Sequence, residues 1–391
     1  MSRSSTHAVA ADVVFDGETR HGDVAVVIED GRIAALTARS ALSSTIGVYT
    51  AAPGAWLAPG FIDIQANGGG DVLFNADPTP AALAKIVSAH RKFGVTGLMP
   101  TLITDDDETI AAALAAVSAI MPAEPGVLGI HLEGPFLSPQ KPGVHRRDFI
   151  RRPRAEDRRM LGAFHGGVLL VTLAPEEAPK GFIAELVAAG AKVSLGHSMA
   201  TYEQTRAAMA EGLTGFTHLF NAMRPLSARE PGPVAAALES PNAYYGLIVD
   251  GEHVAPAMLA LAMRGVGRPM LVSDAMPPVG GTSSEFDLLG RRITVRDGSC
   301  RTQDGALAGS SIDMATAVRN CVRLLGLPLE RALRCASLHP ADFLGLGHSL
   351  GRLAPGYRAD MAAFDPRDIS VSAVWVAGAR SDDRPWAETS R

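Results

Sequence analysis

Cysteine is scarce in this chain, and that removes two classes at once. Cys300, Cys321 and Cys335 are the three among 391 residues. Their spacing forms no paired ligand set, so neither a disulfide framework nor a cysteine-based zinc site is expected. Aromatic residues are sparse at 5%. The formal net charge of −5 is mild and not gathered into long runs. That argues against nucleic acid as the main partner while leaving room for local basic pockets that hold small anions. No uninterrupted apolar stretch reaches membrane-spanning length, and the N-terminus has no apolar signal core. The expectation is a soluble cytoplasmic protein with reduced thiols and no membrane partner. Internal repeats and low-complexity tracts are also missing.

What is present is an ordinary apolar fraction of 47% arranged in short runs. Eight of these read as buried strands: Phe61–Ile64, Val95–Pro100, Val127–Leu132, Val168–Leu173, Lys192–Leu195, Leu213–Phe216, Tyr245–Val249 and Met270–Val272. Helical stretches separate most of them, for example Leu83, Ile86 and Val87 on one face before Gly94. Eight strands alternating with helices over roughly 250–300 residues is the size of a (β/α)8 barrel, an α/β fold of the TIM type. An open doubly wound sheet is the competing architecture, but no Gly-x-Gly-x-x-Gly follows the first strand. Before the barrel, Val24–Ile28 and Arg32–Leu36 flank Asp30-Gly31, a strong hairpin signal. After it, Met361–Phe364 and Ser370–Val376 are strand candidates. Neither end is long enough for a good core alone. The expected division is residues 1–57 and 350–391 forming one small β-sandwich around a barrel at 58–349, with a β-hairpin insertion near 280–308.

The stretch from Ser194 to Met223 organises the rest. A helix opens at Thr201 and Gln204, which stand at capping-box spacing, and stops at Gly212. The strands on either side then run parallel, and His197 and His218 emerge at the same carboxyl edge, where α/β folds place ligands. Two such imidazoles are half of a metal site or, as the bland alternative, two unrelated loop residues. The other strand ends carry Gln65 and Asn67, His131 and Glu133, Asn221, Asp250 with His253, and Asp274. Glu133, after an apolar strand and before Gly-Pro, completes two histidines and one carboxylate, a set suited to a divalent metal with an open position for water. His131 is expected on the opposite side of its strand, in a structural role. Asp274 can move a proton, although a turn aspartate is a fair competitor beside Pro277 and Pro278. His145 and His253 could polarise a carbonyl or hold an anion, and Arg229 could neutralise a phosphate. Each alone would more often be a surface residue. His7, His21, His90, His165, His339 and His348 fit no such position and are read as structural or solvated.

Taken together the motifs resemble a family. Pro-Gly-Phe-Ile-Asp after a small β segment resembles the amidohydrolase superfamily. His-Leu-Glu-Gly-Pro-Phe, Gly-His-Ser, Thr-His-Leu-Phe-Asn-Ala-Met, Arg-Glu-Pro-Gly, Asp-Gly-Glu-His, Val-Ser-Asp-Ala-Met and Leu-Ala-Gly-Ser-Ser are similar, in order, to the N-acetylglucosamine-6-phosphate deacetylase family within it. The resemblance implies hydrolysis of the acetamide of an N-acetyl amino-sugar 6-phosphate, in amino-sugar catabolism. It implies one divalent metal per subunit, zinc with iron as the alternative, on Glu133, His197 and His218. Asp274 then matches the catalytic acid/base and His145 the group that polarises the carbonyl. Gln65, Asn221, Ala222, Arg229 and His253 match substrate-binding positions, with Arg229 reaching across a homodimer. Many amidohydrolases carry His-x-His after the first strand for a second metal. Here Gln65-Ala66-Asn67 stands there, and amide oxygens are weaker ligands for zinc or iron. Two rivals stay open: a deacetylase for the galactosamine epimer or another amidohydrolase, and a non-catalytic oligomeric scaffold. A scaffold would have lost part of the set Glu133, His197, His218 and Asp274, all of which is present.

Overall fold

Each apolar run finds a place in one closed sheet. The computed structural model describes residues 6–296 and 298–381. Its central sheet holds β1 (Phe61–Ala66), β2 (Val95–Ile103), β3 (Gly129–Glu133), β4 (Val168–Leu173), β5 (Lys192–Leu195), β6 (Gly215–Phe216), β7 (Tyr244–Leu247) and β8 (Arg268–Leu271). They lie side by side in chain order, and every adjacent pair is parallel. The ring closes just beyond the carboxyl ends of β1 and β8. There Asp274 N–H donates to Gln65 O at 2.9 Å, and Asn67 N–H donates to Ala275 O at 2.8 Å. All eight candidates are strands, although the sixth shortens to two residues. Every residue of β1, β2 and β3 is buried, because helices cover one face and the barrel interior the other.

Local chemistry sets where the helices begin. Thr79 caps α1 (Pro80–Arg91) by accepting from Ala82 N–H, and Asp106 caps α2 (Asp107–Ile120) by accepting from Thr109 N–H. The capping box of Thr201 and Gln204 opens α3 (Tyr202–Ala210). Losing such a cap costs about 1 kcal/mol. α1 turns Leu83, Ile86 and Val87 into the core, as their spacing predicts.

The chain ends build two further sheets. One contains Thr6–Ala10, Val24–Glu29, Arg32–Ala38 and Gly47–Thr50; the other joins Val13–Phe15, Arg20–Gly22 and Trp56–Pro59 to Met361–Phe364, Val371–Val376 and Ala379–Arg380. Ile28, Leu57, Met361 and Trp375 fill the layer between them. Truncating Trp375 to alanine should cost about 3–5 kcal/mol. The hairpin turn has left-handed Asp30 and Gly31, with φ of 49° and 78°, the geometry that two-residue hairpins favour. A four-stranded antiparallel sheet follows β8, formed by Glu285–Leu288, Arg291–Arg296, Ser299–Arg301 and Leu307–Ser310. It locks onto the barrel rim where Ser310 N–H donates to Asp274 O at 2.9 Å. Among the described residues no helix is long and apolar enough to cross a membrane.

Candidate active site

Three residues beyond strand ends adopt left-handed backbone: His197 (φ 47°), His218 (φ 32°) and Asp274 (φ 49°). A residue with a Cβ gives up roughly 1–2 kcal/mol there, and such strain gathers at functional sites. The turns are held by neighbours. Ser198 N–H donates to Ala222 O, Arg224 N–H to Ser198 O, and Leu219 N–H to Gly246 O.

These turns aim side chains at one point. Glu133 Oε1, at the end of β3, lies 2.9 Å from His218 Nε2 and 3.2 Å from His197 Nε2. The two Nε2 atoms are 3.2 Å apart. Lys141 O accepts from His197 Nδ1 at 2.8 Å. That keeps a proton on Nδ1 and turns Nε2 toward the cluster, where its lone pair would face a bound metal. The three buried ligand atoms all lie within 4.8 Å of one another, a donor set that fits a divalent metal with room for a further ligand. Burial favours a neutral Glu133, but hydrogen bonds from His197 and His218 override it and hold the carboxyl well below its usual range. Burial likewise lowers His218, yet the Glu133 carboxylate wins and its pKa is raised.

Asp274 stands beside this cluster on two amide donors. Asn67 Nδ2 donates to its Oδ1 at 2.8 Å, and Gln65 Nε2 donates to the same oxygen at 3.1 Å. Gln65 Nε2 also lies 3.3 Å from Glu133 Oε2, so this residue, assigned to substrate from the motifs, spans both carboxylates. Burial, then the Glu133 charge, push Asp274 up to about 6, against the pull of His218, His253 and Asn67.

The His145 ring centroid is 4.4 Å from that of His197. Thr104 N–H donates to its Nδ1 at 3.3 Å, so the ring proton sits on Nε2. Burial, then the charge of His197, depress its pKa well below 6.5, which keeps the ring neutral. Asn221 Nδ2 donates to His218 O at 3.1 Å, and Ala222 follows in a left-handed turn. His253 Nδ1 lies 2.6 Å from Asp250 Oδ2. Arg229 is not brought to this cluster: it lies exposed on the stretch 225–229.

His131 corrects the expectation that it faces away from Glu133. Side chains repeat every two residues along a strand, so both share one face. His131 Nε2 lies 2.7 Å from Thr172 Oγ1, which in turn lies 2.6 Å from Thr217 Oγ1. This chain of polar groups from β3 through β4 to the end of β6 runs inside the barrel. His131 is structural there, with burial lowering its pKa to about 4.

Residues 56–382 match the amidohydrolase family. The chain belongs to that family. This amidohydrolase is 44% identical over 326 residues to the N-acetylgalactosamine-6-phosphate deacetylase of Shewanella sp. (strain ANA-3), covering 82% of each chain. It is 35% identical over 357 residues to the N-acetylglucosamine-6-phosphate deacetylase of Haemophilus influenzae, covering 90% of this chain and 93% of the relative. The crystal structure of N-acetylglucosamine-6-phosphate deacetylase from Pasteurella multocida matches it with a TM-score of 0.92 at 34% identity, over 96% of this chain and 99% of that one.

Sequence reasoning missed several residues that build this candidate site. Thr104 sets the His145 tautomer; as a polar residue just past β2 it carried the same strand-end signal as the others. Gly143 lies against His197, where an added Cβ would meet Cε1 at 3.0 Å. Asp63, fully buried, accepts from Ser273 Oγ at 2.5 Å and so ties β1 to the residue before Asp274.

Proposed function

We propose that this amidohydrolase removes the acetyl group from N-acetyl-D-glucosamine 6-phosphate, giving D-glucosamine 6-phosphate and acetate. The observation that carries the reading is the Asp274 carboxylate, raised to about 6 and held by Asn67 and Gln65 beside the Glu133, His197 and His218 cluster. A divalent ion on that cluster, zinc with iron second, supplies Lewis acidity and lowers the pKa of water. Asp274 takes the proton of the water that attacks the acetyl carbon. The C–N bond breaks, and Asp274 returns the proton to the departing amine, which would be a poor leaving group as an anion. His145, neutral and with no partner for Nε2–H among the described residues, donates to the acetyl oxygen as charge builds there. Gln65 steadies both carboxylates in one geometry. Asn221, Ala222 and His253 line the sugar and phosphate.

Arg229 supports a shared site. It is exposed, with no hydrogen bond or ion pair among the described residues, although a phosphate dianion calls for a bidentate donor. We assign it to the phosphate in the neighbouring subunit of a homodimer. The galactosamine epimer is a second reading, favoured by the 44% identical relative.

The test is acetate release by the zinc-loaded protein from both N-acetylhexosamine 6-phosphates, run in parallel with elemental analysis. The expected result is one metal per chain and a higher kcat/KM on the glucosamine substrate. Preference for the galactosamine compound transfers the assignment to the epimer. No release from either overturns the deacetylase reading.

A further inference from the structure

The turn beyond β7 contains a second carboxylate–imidazole pair, separate from the cluster at Glu133. Asp250 Oδ1 accepts from Glu252 N–H and from His253 N–H, both at 2.9 Å. Its other oxygen, Oδ2, lies 2.6 Å from His253 Nδ1. Both side chains are 7% exposed. A carboxylate at that distance can only accept, so the ring proton sits on Nδ1. His253 Nε2 has no protein partner among the described residues. The pair is anchored from two sides: Asn320 Nδ2 donates to Val249 O at 2.8 Å, and Arg301 pairs with Glu252 at 2.7 Å. It also neighbours the chemistry. Cys300 feels the charges of both Asp274 and Asp250.

We propose that Asp250 is a positioning residue for substrate binding: it fixes His253 in the Nδ1–H form, so that the Nε2 lone pair is presented to accept from a hydroxyl of the bound amino-sugar phosphate. The proposal deepens the deacetylase reading and rests on it. A purely local turn would need only Oδ1, whose two backbone bonds close the loop. The second oxygen, in line with the ring, is what a turn does not require. Buried carboxylate–imidazole contacts of this kind select a tautomer, and selecting the wrong one is costly where the far nitrogen meets substrate.

Asp250→Asn separates the two roles. Its amide oxygen stays on the two backbone N–H groups, because a flip would set the NH2 group against two donors. The NH2 group then faces His253 Nδ1, which must accept, and the ring proton moves to Nε2. The experiment uses the zinc-loaded full chain with ¹⁵N-labelled histidine. The parent should show a low-field Nδ1–H resonance that is lost in Asp250→Asn and in His253→Gln. Asp250→Asn should raise KM about 10- to 100-fold with kcat changed only a few-fold and metal content intact. Asp250→Asn combined with His253→Gln should be no worse than His253→Gln alone. A parent resonance placing the proton on Nε2 overturns the proposal. So do losses that multiply in the double variant, or an Asp250→Asn protein that loses its metal. The resonance needs no substrate, so a parent that releases no acetate sinks the deacetylase reading and leaves the tautomer decided separately.

Discussion

Replacing Asp274 by asparagine should make the metal-free protein more stable while removing its activity. The carboxyl is raised from 3.8 to about 6, and each pH step of that difference is worth about 1.36 kcal/mol. The folded pKa lies above the unfolded value, so the folded state holds the extra proton between them, and stability falls as pH rises through that window. Above pH 7 the ionised Asp274 therefore costs the fold about 3 kcal/mol, and near pH 4 almost nothing. Asparagine is isosteric and keeps an oxygen for Asn67 and Gln65. It should recover that 3 kcal/mol at pH 8. With an unfolding entropy of about 2.1 cal/mol/K per residue, 391 residues give roughly 0.8 kcal/mol/K, so Tm should rise by roughly 4 °C. Scanning calorimetry of chelated parent and variant at pH 8 and pH 4.5 reads this directly. With a divalent metal added back, kcat should drop by about 10²–10⁴-fold for loss of the proton carrier. A Tm gain of equal size at both pH values would show that the effect is not the buried charge. A kcat near that of the parent would remove Asp274 from proton transfer.

Three other expectations follow from the same geometry. His197→Ala should lose most of the bound metal and nearly all activity, by elemental analysis and acetate release; full occupancy would contradict the ligand assignment. Arg229→Ala should lose about 30- to 1000-fold in kcat/KM on the phosphorylated substrate and nothing further on unphosphorylated N-acetylglucosamine. Mixing Arg229→Ala with Asp274→Asn chains should restore some activity, and no recovery despite proven subunit exchange would return Arg229 to its own subunit. His131, buried neutral with a pKa of about 4 against its usual 6.5, contributes stability that is complete above pH 6.5 and falls by about 3 kcal/mol as pH drops to 4. Urea unfolding of metal-free His131→Gln should show a shallower loss over that range, and an unchanged slope would refute the assignment.

The sequence by itself determined the frame of this protein. Strand positions follow from apolar runs because a strand between helices and a barrel interior is buried on both faces, and nothing outside the run is needed to see it. Glu133, His197 and His218 were legible because each sits one or two residues beyond such a run, and parallel strands deliver their ends to one rim. The capping box at Thr201 and the turn at Asp30-Gly31 are equally local. Only the tertiary structure decided the protonation chemistry. The His197 tautomer depends on Lys141 O, 56 residues away, and that of His145 on Thr104, 41 residues away. The amides that hold Asp274 lie 207 and 209 residues earlier. No local pattern encodes such pairs, since hydrogen bonds depend on distances that appear once the barrel closes. His131 is the intermediate case. Its face was available from the two-residue repeat, but its burial and the threonine chain that keeps it neutral belong to neighbouring strands.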